Sequence, residues 1–183
     1  MSIISSRIVN AYLETLLWSE TFCACDIDGN PTSITIPESA PGPFAGDTFE
    51  DGEPLDSFLN TSDMDTLCPD VVAEVKADLE AFGGYVEETL GFDPFEVFDA
   101  GQVAHDFCLS RNGHGVGFFD GDYIVRHEDL SEERQVKADI TAELGGDALN
   151  VADALQDAAE TFGTLGLHAW VNKAGVLMVE SHG

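Results

Sequence analysis

The sequence predicts an α+β fold in which a small antiparallel sheet, made of two hairpins, packs against three to four helices. Apolar residues recur at helical spacing in three stretches, and they alternate with polar residues in short segments near the middle and the end of the chain. Glycine, proline and asparagine mark turns between these stretches. The 183 residues suffice for one sizeable core, so we expect a single domain over 1–183 with an acidic, Pro/Gly-rich loop or insertion at about 23–61.

The helical stretches are bounded by capping and breaking residues. A serine can cap a first helix at about 5–19, and a proline fits the first turn of a second helix at about 69–90. Gly83-Gly84 predicts a weak point or kink in the second helix. An aspartate can cap a third helix at about 147–162, and the polar stretch 126–147 is expected to form a further helix of moderate stability.

Alternation of apolar and polar residues indicates two hairpins and one separate strand. The first hairpin contains RNGHG, in which Asn112-Gly113 is the strongest short signal for a hairpin turn. The second hairpin has its turn at 172–175. The expected strands are 32–36 on its own, about 103–110 and 115–120 in the first hairpin, and 166–171 and 176–180 in the second.

The first hairpin belongs to the stretch HDFCLSRNGHGVGFFDGDY at 105–123, which places histidines, a cysteine, an arginine and carboxylates around a glycine-rich middle. One interpretation is a metal-binding or hydrolytic site on His105, Asp106 and His114, or a nucleophile formed by Cys108 and a histidine. The residues match no metal-ligand spacing, and strand alternation would put His105 and Asp106 on opposite faces. We therefore expect a structural hairpin in which Arg111 pairs with nearby acids, with no catalytic residue, metal or cofactor. The structural motif comprises His105, Asp106, Arg111, Asn112, Gly113, His114 and Gly115.

Charge is the most unusual property of the chain. Thirty-five Asp and Glu stand against seven Lys and Arg, which gives a formal net charge of -28. Repulsion of this size opposes a compact state, and its sign excludes nucleic acid and anionic membranes as direct partners. Three explanations stay open: a saline environment, in which a Debye length of ~3 Å at about 1 M removes the repulsion, a basic protein partner, or solubility alone.

The sequence also predicts a reducing cytosol. Arg7 and Glu14 interrupt any apolar run near the N-terminus, so no signal peptide is expected. No stretch approaches the ~20 apolar residues of a membrane span. The four cysteines form no CxxC pair, and we interpret them as small hydrophobic residues.

The acids are concentrated in residues 47–106, which contain seventeen of them and Lys76 as the only base. On the second helix Asp70, Glu74 and Asp78 repeat at i,i+4, where each like-charge pair destabilises a helix by roughly 0.2–0.5 kcal/mol. Four helical residues advance ~6 Å, a distance similar to the direct separation of backbone phosphates along one strand of a duplex, which rises ~3.4 Å along its axis per strand step. We therefore predict a partner-binding acidic face made of Asp70, Glu74, Asp78, Glu80, Glu87, Glu88, Asp153 and Asp157.

Five segments carry a resemblance to a known family. They are AYLETLLWSE (11–20), GEPLD (52–56), AEVKADLEAF (73–82), HDFCLSRNGHGVGFFD (105–120) and AAETFGTLGLHAWV (158–171). Together they resemble a family of small acidic proteins encoded by tailed bacteriophages, with a motif close to HDFWLTRNGHGxGFWD. This chain departs from the motif with Cys108 and Phe119 at the two tryptophan positions and carries extra sequence at 23–51 and 122–146. The resemblance implies a phage origin and one shared fold, but no activity.

These observations predict a phage-encoded protein that works in the host cytoplasm in anti-defence or host takeover. Its partner would be a basic, nucleic-acid-binding host protein, which it inhibits by presenting carboxylates in place of DNA or RNA phosphates. One alternative is a salt-adapted accessory or structural phage protein without catalytic activity, and another is a small metal-binding or hydrolytic domain on the His105/Asp106/His114 hairpin. A homodimer also stays open, because an exposed edge of the second hairpin favours it whereas the acids oppose it.

Overall fold

The structure is a computed structural model, and it describes residues 4–24, 32–114, 117–126 and 148–182. Within these residues the fold is α+β, as predicted, with six α-helices and three two-stranded antiparallel sheets. The chain divides into two compact units. Unit 1 comprises Met1–Tyr12 and Ala73–Thr164, and unit 2 comprises Leu13–Val72 and Leu165–Gly183.

The helices are α1 (Ser6–Ser19), α2 (Thr61–Leu67), α3 (Pro69–Leu90), α4 (Pro94–Val97), α5 (Ala100–Asn112) and α6 (Ala152–Glu160). Single 3-10 turns occupy Leu55–Ser57 and Gly117–Asp120. The strands are β1 (Ser33–Thr35), β2 (Thr48–Glu50), β3 (Ile124–Arg126), β4 (Ala148–Asn150), β5 (Gly166–Val171) and β6 (Leu177–His182). They pair as β1–β2, β3–β4 and β5–β6.

The first two predicted helices are confirmed as α1 and α3. The helix α3 continues without interruption through the predicted weak point at Gly83-Gly84. A Cβ atom on Gly83 would lie 3.2 Å from Cδ2 of Phe95, so glycine at this position lets the aromatic side chain that follows α3 approach the helix backbone. A Cβ atom on Gly84 would meet no other atom within 4 Å.

The predicted hairpin at 103–110 and 115–120 is wrong, because this part of the chain forms helix α5 and, after it, the 3-10 turn Gly117–Asp120. Asn112-Gly113 ends the helix instead of turning a hairpin. Gly113 adopts a φ of 67°, and the amide of His114 donates to the carbonyl of Leu109 over 2.9 Å. These contacts form a Schellman cap, which requires the same left-handed residue that a hairpin turn does. Gly115 lies outside the described residues.

The third predicted helix begins later than expected. Residues 148–150 form β4, which pairs with β3 in the register Ile124↔Asn150 to Arg126↔Ala148, and α6 begins only at Ala152. The side chain of Asn150 accepts the amide of Ala152 over 3.0 Å and so marks the end of the strand and the start of the helix. The helix predicted at 126–147 lies outside the described residues, apart from Arg126 in β3.

The C-terminal hairpin is confirmed. β5 and β6 pair from Gly166↔His182 to Val171↔Leu177, and the amide of Asn172 donates to the carbonyl of Val176 across the turn. The strand predicted at 32–36 is confirmed as β1, and its partner β2 is a second strand inside the segment predicted as a loop.

Each unit has an aromatic core of its own. In unit 1 the ring of Phe82 stacks on Phe107 at 4.4 Å between centroids and on Phe118 at 5.8 Å. In unit 2 Phe49 packs against Phe58 at 4.5 Å and against Phe22 at 5.4 Å. The motif 105–123 therefore contributes Phe107, Phe118 and Tyr123 to the core of unit 1, where burial of each side chain contributes ~2 kcal/mol or more.

Candidate functional site

Helix α5 uses the polar residues of the motif to hold unit 1 together. Asp106 is buried, with 6% of its side chain exposed, and it accepts hydrogen bonds from Gln102 Nε2 at 2.9 Å and from the hydroxyl of Tyr123. His105 is more exposed, with its Nε2 atom 3.9 Å from Asp106 Oδ1. His114 follows the helix cap and is exposed. The helix thus brings His105 and Asp106 together, which strand alternation would not, but it does not add His114 to them.

Among the residues that the structure describes, no group of three His, Cys, Asp or Glu side chains could hold a metal ion. The only carboxylate in the predicted triad is engaged twice, by Gln102 and Tyr123. Burial, and then the hydrogen bond and charge of Asp106, raise the pKa of Tyr123 far above its usual 10.0. The Tyr123 hydroxyl therefore stays protonated and serves Asp106 as a permanent donor.

Arg111 is the centre of a second buried network. Its side chain is 4% exposed, and its Nη1 atom donates to Asp78 Oδ2 at 2.6 Å and to the hydroxyl of Tyr12 at 3.4 Å. The carbonyl of Phe162 accepts from Nη2 at 3.2 Å, and the carbonyl of Gly163 accepts from Nε at 2.9 Å. Burial by itself lowers the pKa of the guanidinium, but Tyr12 and the bonded carboxylate of Asp78 outweigh burial and raise the pKa. Arg111 is thus a charged member of the core, and each of its three guanidinium nitrogens donates at least one hydrogen bond.

This network changes the predicted acidic face. Asp78 was predicted to face a partner, but its side chain is only 26% exposed and neutralises Arg111. Its role on the outer face is therefore corrected: the i,i+4 row of Asp70, Glu74 and Asp78 loses its third member because α3 turns that carboxylate towards α5. The sequence held one signal for this pairing, since Arg111 is the only base between Lys76 and Arg126.

The other predicted carboxylates are on the outside of their helices. In unit 1 the exposed set, named here the acidic helix faces, comprises Glu74, Glu80, Glu87 and Glu88 on α3 and Asp153 and Asp157 on α6. Asp70 is also exposed, in the first turn of α3, which belongs to unit 2. The described part of unit 1 holds fourteen acids and four Lys or Arg, of which one, Arg111, is buried.

Unit 2 has a concavity of about 450 Å³ lined by Thr48 and residues 50–54. Its carboxylates already hold the local backbone: Asp51 Oδ1 accepts the amide of Ala24 at 2.8 Å, and Glu53 Oε2 accepts the amide of Glu50 at 3.1 Å. These hydrogen bonds give Asp51 and Glu53 a structural role in shaping the loop around the concavity.

Comparison of the chain with protein-family models, with curated proteins and with solved structures finds no match. None of the described helices has the length and hydropathy that a bilayer crossing requires. The candidate site therefore rests on the geometry and charge of this chain alone.

Proposed function

We propose that this chain is a phage-encoded inhibitor that binds a basic, nucleic-acid-binding host protein through its acidic helix faces. The carboxylates would occupy the sites where that protein holds DNA or RNA phosphates. The proposal assigns no catalytic step and no direct contact with nucleic acid, and it places the interaction in the host cytoplasm.

The observation that supports the proposal best is the excess of acids on the described part of unit 1, where Arg7, Lys76 and Arg126 are the only exposed Lys or Arg. The six carboxylates of the acidic helix faces are exposed, whereas Arg111 is turned inward and neutralised by Asp78. Exposed like charges lower the stability of a helix, and Asp153 and Asp157 are such a pair at i,i+4. A surface selected for stability alone would mix lysines with these acids, so their accumulation favours a use outside the fold.

The spacing of the carboxylates is compatible with that use. Asp153 and Asp157 are one turn apart, ~6 Å along the helix axis, which is about two strand steps of ~3.4 Å. Glu80 and Glu87 lie on one side of α3 at two turns, ~10.5 Å, which is about three such steps. Neutralising a basic cleft in this way releases its counterions, so the complex is expected to weaken steeply as salt rises.

A capture experiment with matched variants tests the proposal. The wild-type chain, immobilised, is exposed to lysates of candidate bacterial hosts at low and moderate salt, and the bound protein is challenged with duplex DNA or RNA. The test variant combines Glu80→Gln, Glu87→Gln, Asp153→Asn and Asp157→Asn. The control variant removes the same number of charges, also two Glu and two Asp, from exposed positions of unit 2. Its substitutions are Glu14→Gln, Glu38→Gln, Asp47→Asn and Asp56→Asn. Asp78 is left intact in both because Arg111 needs it.

We expect wild type to retain a basic nucleic-acid-binding protein that duplex displaces. The test variant should retain less than about a tenth as much, and the control variant close to the wild-type amount, since each phosphate-like contact contributes separately to the salt-dependent affinity. Equal losses in both variants would mean that total charge, rather than these helix faces, governs binding. An empty eluate from a folded protein would end the proposal.

One observation favours the alternative of a salt-adapted accessory or structural phage protein. Exposed acids also occur on unit 2, for example Glu38, Asp47 and Asp56, so the excess is not confined to the proposed face. That alternative predicts a melting temperature that climbs steeply with NaCl up to about 1 M, where the Debye length falls to ~3 Å, together with no duplex-sensitive partner. A flat salt dependence would exclude it.

A further inference from the structure

Among the described residues of the motif 105–123, Phe119 is the one apolar residue whose side chain is exposed. Phe107, Cys108 and Phe118 are completely buried, whereas Phe119 is 58% exposed. Since Phe118 and Phe119 are adjacent, the same 3-10 turn sends one ring into the core and the next into solvent. A single exposed aromatic needs no explanation by itself, so the question is whether the fold enforces its position.

Packing at both ends holds the turn in place. Gly117 has a φ of 47°, and a Cβ atom there would collide with the hydroxyl of Ser110. A Cβ atom on Gly121 would collide with the ring of Tyr123. Between them, the amide of Phe118 donates to Ser110 Oγ at 3.2 Å, and that hydroxyl donates to Gln156 Oε1 at 2.6 Å.

The ring of Phe118 fixes the turn from the inside. It stacks on Phe82 at 5.8 Å and meets the ring of Tyr123 edge-on at 5.0 Å. Tyr123 is in turn bonded to Asp106. These contacts leave Phe119 no route into the core, so the packing of the turn against α5 and Tyr123 holds the ring of Phe119 outward.

Such a ring is suited to protein recognition. A preorganised aromatic side chain loses little conformational entropy on binding, and aromatic residues dominate the affinity of many interfaces. Ile124, 50% exposed, adds a second outward apolar side chain five residues later. Asp120 and Asp122 lie between them and are exposed, against Arg126 as the one base of residues 117–126.

We infer that Phe119 is the aromatic anchor of a protein interface, and that its partner presents an apolar pocket with a rim of Lys or Arg. The basic rim follows from Asp120 and Asp122 beside the ring and from the net charge of -28. A second copy of this chain would bring the same acids against each other. This inference rests on the proposed function and adds the contact by which that same basic partner is held when salt weakens the carboxylates.

A photo-crosslinking amino acid at position 119 of the full chain tests the contact directly. The same label at position 18 is the control, because Trp18 is also strongly exposed, at 61%, but lies in unit 2. In host lysate we expect position 119 to yield an adduct with one basic protein and position 18 to yield none above background. The absence of an adduct at 119, or an adduct with a second copy of this chain, would overturn the inference.

Affinity measurements with the cross-linked protein, once purified, provide the second readout. Phe119→Ser should weaken binding about 30-fold, as expected for a central aromatic contact, Phe119→Trp should restore it, and Trp18→Ser should leave it unchanged. If Phe119→Ser binds as well as wild type while duplex still displaces the partner, the inference fails and the proposed function stands. If the partner depends on Phe119 but is not displaced by duplex, the proposed nucleic-acid mimicry fails and the aromatic contact stands.

Discussion

At the scale of single residues, the polar groups of α5 obey the rule that a buried charge must be paired and hydrogen-bonded. Arg111 meets two side chains and two carbonyls, and Asp106 meets two donors. Among the described residues, no buried side-chain nitrogen or oxygen lacks a hydrogen-bond partner. The motif therefore carries structural constraints, and its functional candidates are the few side chains that it leaves exposed.

Asp78→Asn tests the pairing with Arg111. Removing the carboxylate leaves a guanidinium at 4% exposure with carbonyl and hydroxyl partners only, so we expect the free energy of unfolding to fall by about 2–3 kcal/mol, less than for a fully buried pair because Asp78 itself is 26% exposed. Urea denaturation measures the change. Glu74→Gln, one turn earlier on the exposed side of α3, is the matched control and should stay within about 0.5 kcal/mol of wild type. Equal losses in both variants would contradict the assigned role of Asp78.

Because the hydroxyls of Tyr12 and Tyr123 are buried, we expect the free energy of unfolding to fall at alkaline pH. Burial raises the pKa of both hydroxyls above the ordinary 10.0. At Tyr12 the neighbouring Cys108 raises the pKa further and Arg111 lowers it. At Tyr123 the hydrogen bond and charge of Asp106 raise the pKa further. Above pH 10 the unfolded chain releases these protons and the folded chain keeps them, so the unfolded state is favoured as pH rises. Each tyrosine then lowers the free energy of unfolding by about 1.4 kcal/mol per pH unit.

Urea denaturation of wild type, Tyr12→Phe and Tyr123→Phe between pH 9 and 11 measures these slopes. Each substitution should reduce the slope above pH 10 by the contribution of one tyrosine. The thiol of Cys68, whose pKa burial raises to about 11, acts in the same direction in all three proteins and cancels in the comparison. Unchanged slopes in both variants would show that the hydroxyls titrate alike in the folded and unfolded chains.

At the scale of secondary-structure elements, α5 shows how one short signal serves two structures. Asn-Gly supplies a residue that tolerates positive φ, and both a tight hairpin and a helix C-cap require one. Phe107 and Leu109 look alternating over a few residues, but Val103, Ala104, Phe107 and Cys108 share the buried side of a helix. The polar residues between them suggested a solvent face, whereas the fold satisfies Asp106, Ser110 and Arg111 inside.

Gly83 and Gly84 provide an element-scale test in one helix. Gly84→Ala should stabilise the protein by about 1 kcal/mol, because its added methyl group meets open space and alanine is the better helix former. Gly83→Ala should instead destabilise it, because the methyl group would press on Phe95 and on Asp93 Oδ1, both within 3.3 Å. Thermal unfolding of the two variants measures the difference. A gain from both substitutions would show that α4 yields to the methyl group.

At the scale of the whole molecule, the charge acts on both units. Both units carry exposed acids, so repulsion within each unit opposes folding at low salt. Each unit opposes this with its own aromatic core. A cationic partner and added salt both stabilise such a molecule, because each reduces the repulsion between its acids. A measurement of stability alone therefore cannot distinguish the proposed partner from the saline alternative, whereas competition with duplex can.

The sequence by itself determined the fold class, the helices α1 and α3, the strand β1 and the C-terminal hairpin. These features depend on local periodicity, capping and turn residues, which act over a few positions of the chain. It also determined the charge, from which the proposed function follows.

Only the tertiary structure decided which acids remain outside and what the motif 105–123 does. Asp78 is 33 positions from Arg111, and Ser110 is 46 positions from Gln156, so no local pattern could pair them. Burial decides the role of a polar residue, because an unpaired group in the core is costly and the chain brings distant partners to it. For the same reason the exposure of Phe119 could not be predicted from the sequence, because it depends on how the core of unit 1 buries the neighbouring Phe118.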